Sequence, residues 1–210
     1  MAMLEPKKIA LLIAVLAGFL TPFDLSAVNI ALPTIGIEFS IDAVTLGWVA
    51  TAYLLASAVF LVPFGRIADI YGRKKICSAG LMVFTFASFA MVFSVSPAMI
   101  ILLRVVQGME AALIFGTAVA ILTSVTPPQE RGKALGIYTT AVYLGLSMGP
   151  FLGGFLTTNF GWRSIFLVNV PVGILILAII RTKLEGEWAD ARGKSFDSPG
   201  ALLYGLGRSA

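Results

Sequence analysis

The sequence predicts an all-α membrane protein of six transmembrane helices. Three observations carry this reading. First, 58% of its 210 residues are hydrophobic and only 12% are charged, whereas soluble domains run near about 45–50% and about 25%. Second, six apolar stretches approach spanning length, at 9–32, 46–64, 76–95, 98–122, 135–156 and 165–180. A bilayer core of ~30 Å takes about 20 helical residues. Third, none of the stretches shows the period-two alternation of barrel strands. In lipid the backbone must satisfy its own hydrogen bonds, so such runs are helices.

Each element has its own signals. The first span follows Lys7 and Lys8 and reads IALLIAVLAGFL. That resembles a signal peptide, but no clear small-residue cleavage site follows and the hydrophobicity resumes past Asp24. The second span leads into a polar turn, GRIADIYGRKK, before the third. Ser96-Pro97 opens the fourth with an N-cap and a proline at the first helical position. Thr126-Pro127-Pro128-Gln129 has capping-box spacing, which starts the fifth helix ahead of its apolar run. The sixth run is short and borrows flanking residues. Residues 1–181 thus form the bundle, and 182–198 read as a cytoplasmic linker. Residues 199–210 open another apolar helix behind Ser198-Pro199, expected to be the start of a seventh span; the alternative is a short amphipathic tail lying on the membrane.

Charge sets the expected topology. Lys7, Lys8, Arg66, Arg73, Lys74, Lys75, Arg131, Lys133, Arg181, Lys183, Arg192 and Lys194 fall on one side of the spans; the other side has Arg163, with Glu38 and Asp42 in its first loop. The positive-inside rule makes both ends cytoplasmic. This placement accounts for the net charge of +4 without any nucleic-acid partner. With no histidine and one cysteine, Cys77, an internal disulfide is impossible and metal or haem ligation is improbable. No cofactor is expected.

Three charged residues lie inside spans: Asp24 in the first, Arg104 and Glu110 in the fourth. Each costs about 2.5–3.5 kcal/mol at mid-helix on translocon scales, and such residues usually face a protein interior or an aqueous cavity. Asp24 lies about 24 Å along the helix from Lys8, unless Pro22 breaks the helix and leaves the acid interfacial. Arg104 shares a face with Gln107, Gly108 and Ala111, and snorkelling to the outer surface is its alternative. Glu110 lies off that face, deeper in the membrane. A carboxyl caught between burial and a nearby guanidinium suits proton exchange. Finally, Gly145, Gly149 and Gly153 recur every four residues and make one bare stripe. Such stripes let backbones approach closely in lipid, and Pro150 removes a backbone hydrogen bond beside it.

Four patterns occur in order: Asp24-Leu-Ser-Ala-Val-Asn29-Ile-Ala-Leu-Pro33; Gly65-Arg-Ile-Ala-Asp69-Ile-Tyr-Gly72-Arg73-Lys74-Lys75; Arg104-Val-Val-Gln107-Gly108; and Gly136-x8-Gly145-x3-Gly149-Pro150-x2-Gly153-Gly154. Together they resemble the N-terminal half of a major facilitator superfamily transporter, in the fourteen-span drug:proton antiporter branch. Trp48–Tyr53 and Gly161–Pro171 add to that likeness. The resemblance implies six helices as two three-helix repeats in a prokaryotic plasma membrane. It implies a latch loop at Gly65, Asp69, Gly72, Arg73 and Lys74. It also implies an antiporter seam at Gly136, Gly145, Gly149, Pro150, Gly153 and Gly154, and proton coupling through Asp24 and Arg104. Glu110 departs from the pattern, where a small residue is usual; it adds a second proton or cation site, or only pairs with Arg104. On the residues themselves, Gly65 and Gly72 permit a tight turn, and Asp69 is placed to cap a neighbouring helix.

The function expected is proton-coupled efflux of small amphipathic or cationic molecules, with a C-terminal transporter half or a second copy as partner. The alternative is a truncated non-transporting or homodimerising half. A membrane enzyme is the least supported class.

Overall fold

The computed structural model describes residues 6–184, 186–189 and 191. Among the described residues six α-helices are present: α1 (Pro6–Phe39), α2 (Ala43–Tyr71), α3 (Arg73–Val92), α4 (Pro97–Val125), α5 (Arg131–Phe160) and α6 (Arg163–Lys183). All six are long and apolar enough to cross a membrane. Every helix outruns the apolar stretch that predicted it at one or both ends, because polar ends continue helical past the hydrocarbon boundary. The sixth borrows three residues at its end, Arg181, Thr182 and Lys183. These take two residues from the expected linker; most of the remainder, and all of 199–210, lie outside the described residues.

The packing follows a simple exchange rule. Helix α1 pairs with α5, and α2 with α4; α3 packs on α4, and α6 on α1; α3 meets α6, and α1 meets α4. Exchanging the first triplet with the second maps this pattern onto itself. Since each triplet has an odd number of helices, the second runs inverted relative to the first, an inverted-repeat arrangement. Among the described residues three apolar clusters result, two of them large. One gathers Ile13, Leu20, Leu81, Phe84, Ile114 and Ile176 near the start of α1. The other gathers Phe23, Val28, Val49, Met91, Ile100 and Phe166 toward its end.

Local chemistry explains the joints. Helix α1 runs unbroken through Pro22 and Pro33, and Ser26 Oγ donates one turn back to the Pro22 carbonyl at 2.9 Å, a common back-bond of a helical serine. Asp42 caps α2, accepting from the Thr45 amide at 2.9 Å. Hydrogen bonds from Thr45 hold the Asp42 carboxyl below its usual range. Ser96 caps α4 as predicted, accepting from Met99 N. The capping box expected at Thr126 does not form. Helix α4 runs on to Val125, the Thr126 hydroxyl donates back to the Leu122 carbonyl, and a single 3-10 turn at Pro128–Glu130 leads into α5.

Candidate functional site

Between the two apolar cores lies a polar layer. Asp24 (α1), Ser88 (α3), Arg104, Gln107 and Glu110 (α4) and Asn169 (α6) are each 0% exposed. Arg104 Nη1 donates to Asp24 Oδ2 at 2.6 Å and to Gln107 Oε1 at 3.0 Å. Its Nε donates to the Val49 carbonyl of α2 at 3.2 Å, and its guanidinium lies 4.3 Å from the Tyr53 ring centroid. Asn169 Nδ2 donates to Asp24 Oδ1 at 2.7 Å. Gln107 Nε2 donates to Ser88 Oγ at 3.2 Å. The layer therefore joins all helices except α5.

Helix α1 does not break at Pro22, and Asp24 is buried within the bundle. Arg104 does not snorkel, because Asp24, Gln107 and Val49 hold it inside. Glu110 does not pair with Arg104: neither of its carboxyl oxygens has a hydrogen-bond partner. The sequence reading missed the roles of Asn169 and Ser88. An amide inside an apolar span was the available signal, since buried amides in membranes seek partners across helices.

The glycine stripe packs against α1. A Cβ on Gly145 would collide with the Phe19 carbonyl oxygen, and one on Gly149 with Ser26 Oγ. A Cβ on Gly153 would stand 2.7 Å from Ala27 Cα. Gly136 and Gly154 lie outside this seam. A Cβ meets nothing within 4 Å at Gly136 and ordinary contact with Ile30, at 3.7 Å, at Gly154. Pro150 is exposed within the unbroken helix α5. A second close approach joins α2 and α4, where a Cβ on Gly108 would strike the Tyr53 carbonyl. That approach sets the Tyr53 ring on Arg104.

The turn between α2 and α3 corrects the loop reading. Gly65 and Asp69 are helical, within α2. Only Gly72 turns, at φ +112°. Among the described residues Asp69 caps no helix; its Oδ1 accepts from Arg73 Nε at 2.9 Å, and Arg73 Nη1 donates to Ser124 of α4 at 2.8 Å. The cap of α3 comes instead from Glu187, whose Oε1 accepts from the Lys74 amide at 2.8 Å. Residues beyond α6 lie along this turn: Arg73 N donates to the Trp188 carbonyl at 2.8 Å, and Ala191 N to the Asp69 carbonyl at 2.9 Å. Lys74 Nζ donates to the Leu184 carbonyl. Glu187→Ala is therefore expected to free this segment. Trypsin cleavage after Lys183 should quicken several-fold in the variant, and an unchanged rate would mean the cap does not hold the segment.

Both ends of the bundle are clasped. Lys7 pairs with Glu130, joining α1 to the start of α5. At the opposite end Glu38 pairs with Arg163 at 2.7 Å and accepts from Trp162 Nε1 at 2.7 Å. Arg163 Nη2 also donates to the Ser94 carbonyl at 2.8 Å. Among the described residues, the basic segments at Lys7, Arg73, Lys74, Lys75 and Arg131 gather at one end and Arg163 lies at the other; Arg192 and Lys194 lie outside the described residues.

An inverted pair of three-helix units around a buried polar layer is an architecture of membrane transporters. Comparison makes the class specific. A profile described as Major Facilitator Superfamily matches residues 14–203. Similar curated proteins include the riboflavin transporter RibZ of Clostridioides difficile (strain 630), 35% identical over 96% of this chain and 44% of RibZ. Multidrug resistance protein Stp of Mycobacterium tuberculosis (strain CDC 1551 / Oshkosh) is 37% identical over 89% of this chain and 35% of Stp. Cephamycin export protein CmcT of Amycolatopsis lactamdurans is 38% identical over 94% of this chain and 41% of CmcT. Among solved structures, the proton:xylose symporter XylE shares the fold at a TM-score of 0.77 and 17% identity, over 97% of this chain and 50% of XylE.

The chain belongs to the major facilitator superfamily. It is a multi-pass membrane protein of a family of transporters, not enzymes. It spans less than half the length of the curated relatives named above.

Proposed function

We propose that this chain is the N-terminal half-unit of a proton-coupled exporter of small amphipathic or cationic molecules, seated in the plasma membrane with its basic end in the cytoplasm. The observation that carries the reading is the Asp24–Arg104 pair, fully buried at 2.6 Å between the apolar cores. Acids inside membrane spans are costly and mark ion or proton pathways. Here Asp24 takes the coupling proton, Arg104 is its counter-charge, and Glu110 is a second acid of the same layer. The Gly145–Gly149–Gly153 seam lets α5 move against α1, and the α2–α3 turn with Asp69, Arg73 and Lys74 latches the basic end. Two of the relatives are named as a multidrug resistance protein and an export protein, which supports outward transport of small organic molecules. The basic end fits the cytoplasmic face by the positive-inside rule.

The test is dye export, read as accumulation in the lumen of inverted membrane vesicles under an imposed pH gradient. It is run with this chain by itself and with this chain inside the full-length transporter. Asp24→Asn should lose gradient-driven efflux by more than tenfold while the protein still inserts. Efflux by Asp24→Asn that still follows the gradient would overturn the reading.

A further inference from the structure

Among the described residues the layer leaves three groups without a hydrogen-bond partner: Arg104 Nη2, Asn169 Oδ1 and the Glu110 carboxyl. Glu110 is 0% exposed and makes no hydrogen bond through either carboxyl oxygen. Asp24 has both of its oxygens occupied, one by Arg104 and one by Asn169. Arg104 uses Nε and Nη1, while Nη2 has no partner. The layer thus holds a spare guanidinium donor and a spare carboxyl, on the same helix. Six residues, about 9 Å of helical rise, separate Glu110 from Arg104 on α4, and the Tyr53 ring of α2 lies against the same guanidinium. Helices α3 and α6 contribute Ser88 and Asn169, which carry no charge.

Charge balance then constrains the layer. One guanidinium compensates one carboxylate. A second bare carboxylate in this interior costs several kcal/mol. The layer is neutral when one acid is ionised on Arg104 and the other holds a proton. The geometry here has Asp24 in the ionised role.

We propose that Glu110 is the alternate partner of Arg104. When Asp24 accepts a proton, the guanidinium leaves it for Glu110, and Glu110 releases the proton it held. One proton enters as one leaves, and the layer's net charge never changes. Glu110 lies about 9 Å further along α4 than Arg104. This inference rests on the reading that Asp24 exchanges protons, and it adds the group that receives Arg104 when Asp24 is neutral.

The experiment is a thermal-unfolding cycle on the full chain in lipid nanodiscs, with Asp24→Asn, Glu110→Gln, the double variant, and the double variant carrying Arg104→Gln. Each single variant should lose little, because Arg104 keeps one carboxylate. The double should lose far more than the sum, and Arg104→Gln should restore most of it. Additive losses would overturn the proposal. If the double does not accumulate as folded protein, recovery by Arg104→Gln supports the proposal and non-recovery overturns it. A second readout is the infrared band of a neutral carboxyl that Glu110→Gln removes. Asp24→Asn should remove it too, since Glu110 then ionises on Arg104; a band that survives Asp24→Asn overturns the exchange. Transport by Asp24→Asn tests the exporter reading, whereas additivity tests Glu110 alone.

Discussion

Arg104→Leu is expected to destabilise the bundle by about 3–5 kcal/mol, the usual cost of breaking a buried ion pair by removing one partner. The unfolding temperature should fall by roughly 10 °C for a chain of this size. The loss is large because Arg104 serves four groups at once. It neutralises Asp24, fills the Gln107 amide oxygen and the Val49 carbonyl, and lies against the Tyr53 ring. Removing it leaves Asp24 without its counter-charge and the Gln107 amide oxygen without its donor. Arg104→Lys should fall between wild type and leucine. An ammonium keeps the charge but lacks the planar fork that reaches Asp24 and Val49 together. Asp24→Asn combined with Arg104→Gln should recover most of the loss, because it leaves a neutral hydrogen-bonded network. Thermal unfolding of the purified chain in nanodiscs measures all three. A loss under about 1 kcal/mol for Arg104→Leu, the range of an exposed ion pair, would show that the pair is not buried in the membrane-embedded protein.

Much of this layer was legible in the sequence, and its connections were not. Asp24, Arg104 and Glu110 stand out because a charge inside an apolar span is expensive wherever the helices fall. Gln107 could be assigned to Arg104 because they lie one helical turn apart. Asn169 could not be assigned to Asp24, since no local period links residues 145 apart in sequence. The same division holds at the α2–α3 turn. Gly72 was predicted as a turn residue and has positive φ. Gly65 and Asp69 read as loop because the polar run hides helical continuity, yet α2 carries them to Tyr71. The cap of α3 comes from Glu187, and nothing in the spacing of either segment announces it. The capping box at Thr126 failed for a related reason. The end of α4 lies three residues beyond the apolar run that defined it, and the Leu122 carbonyl takes the threonine hydroxyl first. Patterns within one helix survive translation into structure; choices between helices depend on which faces meet.

The glycine stripe shows both halves of that rule and gives the second large prediction. Its period of four announced a close approach, but only the packing shows that α1 is the partner. Gly145→Val should be the most damaging change in the set, because the added carbons meet a main-chain oxygen at Phe19 that cannot rotate away. Helices α1 and α5 must then separate along their whole contact, giving up dispersion that lipid does not replace in kind. Little folded protein should be recovered. Gly149→Ala should be milder, since its first obstacle is the Ser26 hydroxyl, which can rotate away, leaving Ser26 Cβ at 2.8 Å and Ala27 N at 3.0 Å for a small shift of α1 to relieve. Gly136→Ala should leave folding unchanged or raise stability by up to about 1 kcal/mol, the propensity gain at an unobstructed helical site. Gly154→Ala should be equally tolerated in folding. Monodisperse yield and unfolding temperature rank the four variants. The ranking separates a packing seam from a set of generic helix breakers, because breakers would all improve on substitution by alanine, whereas a seam improves only where it is open.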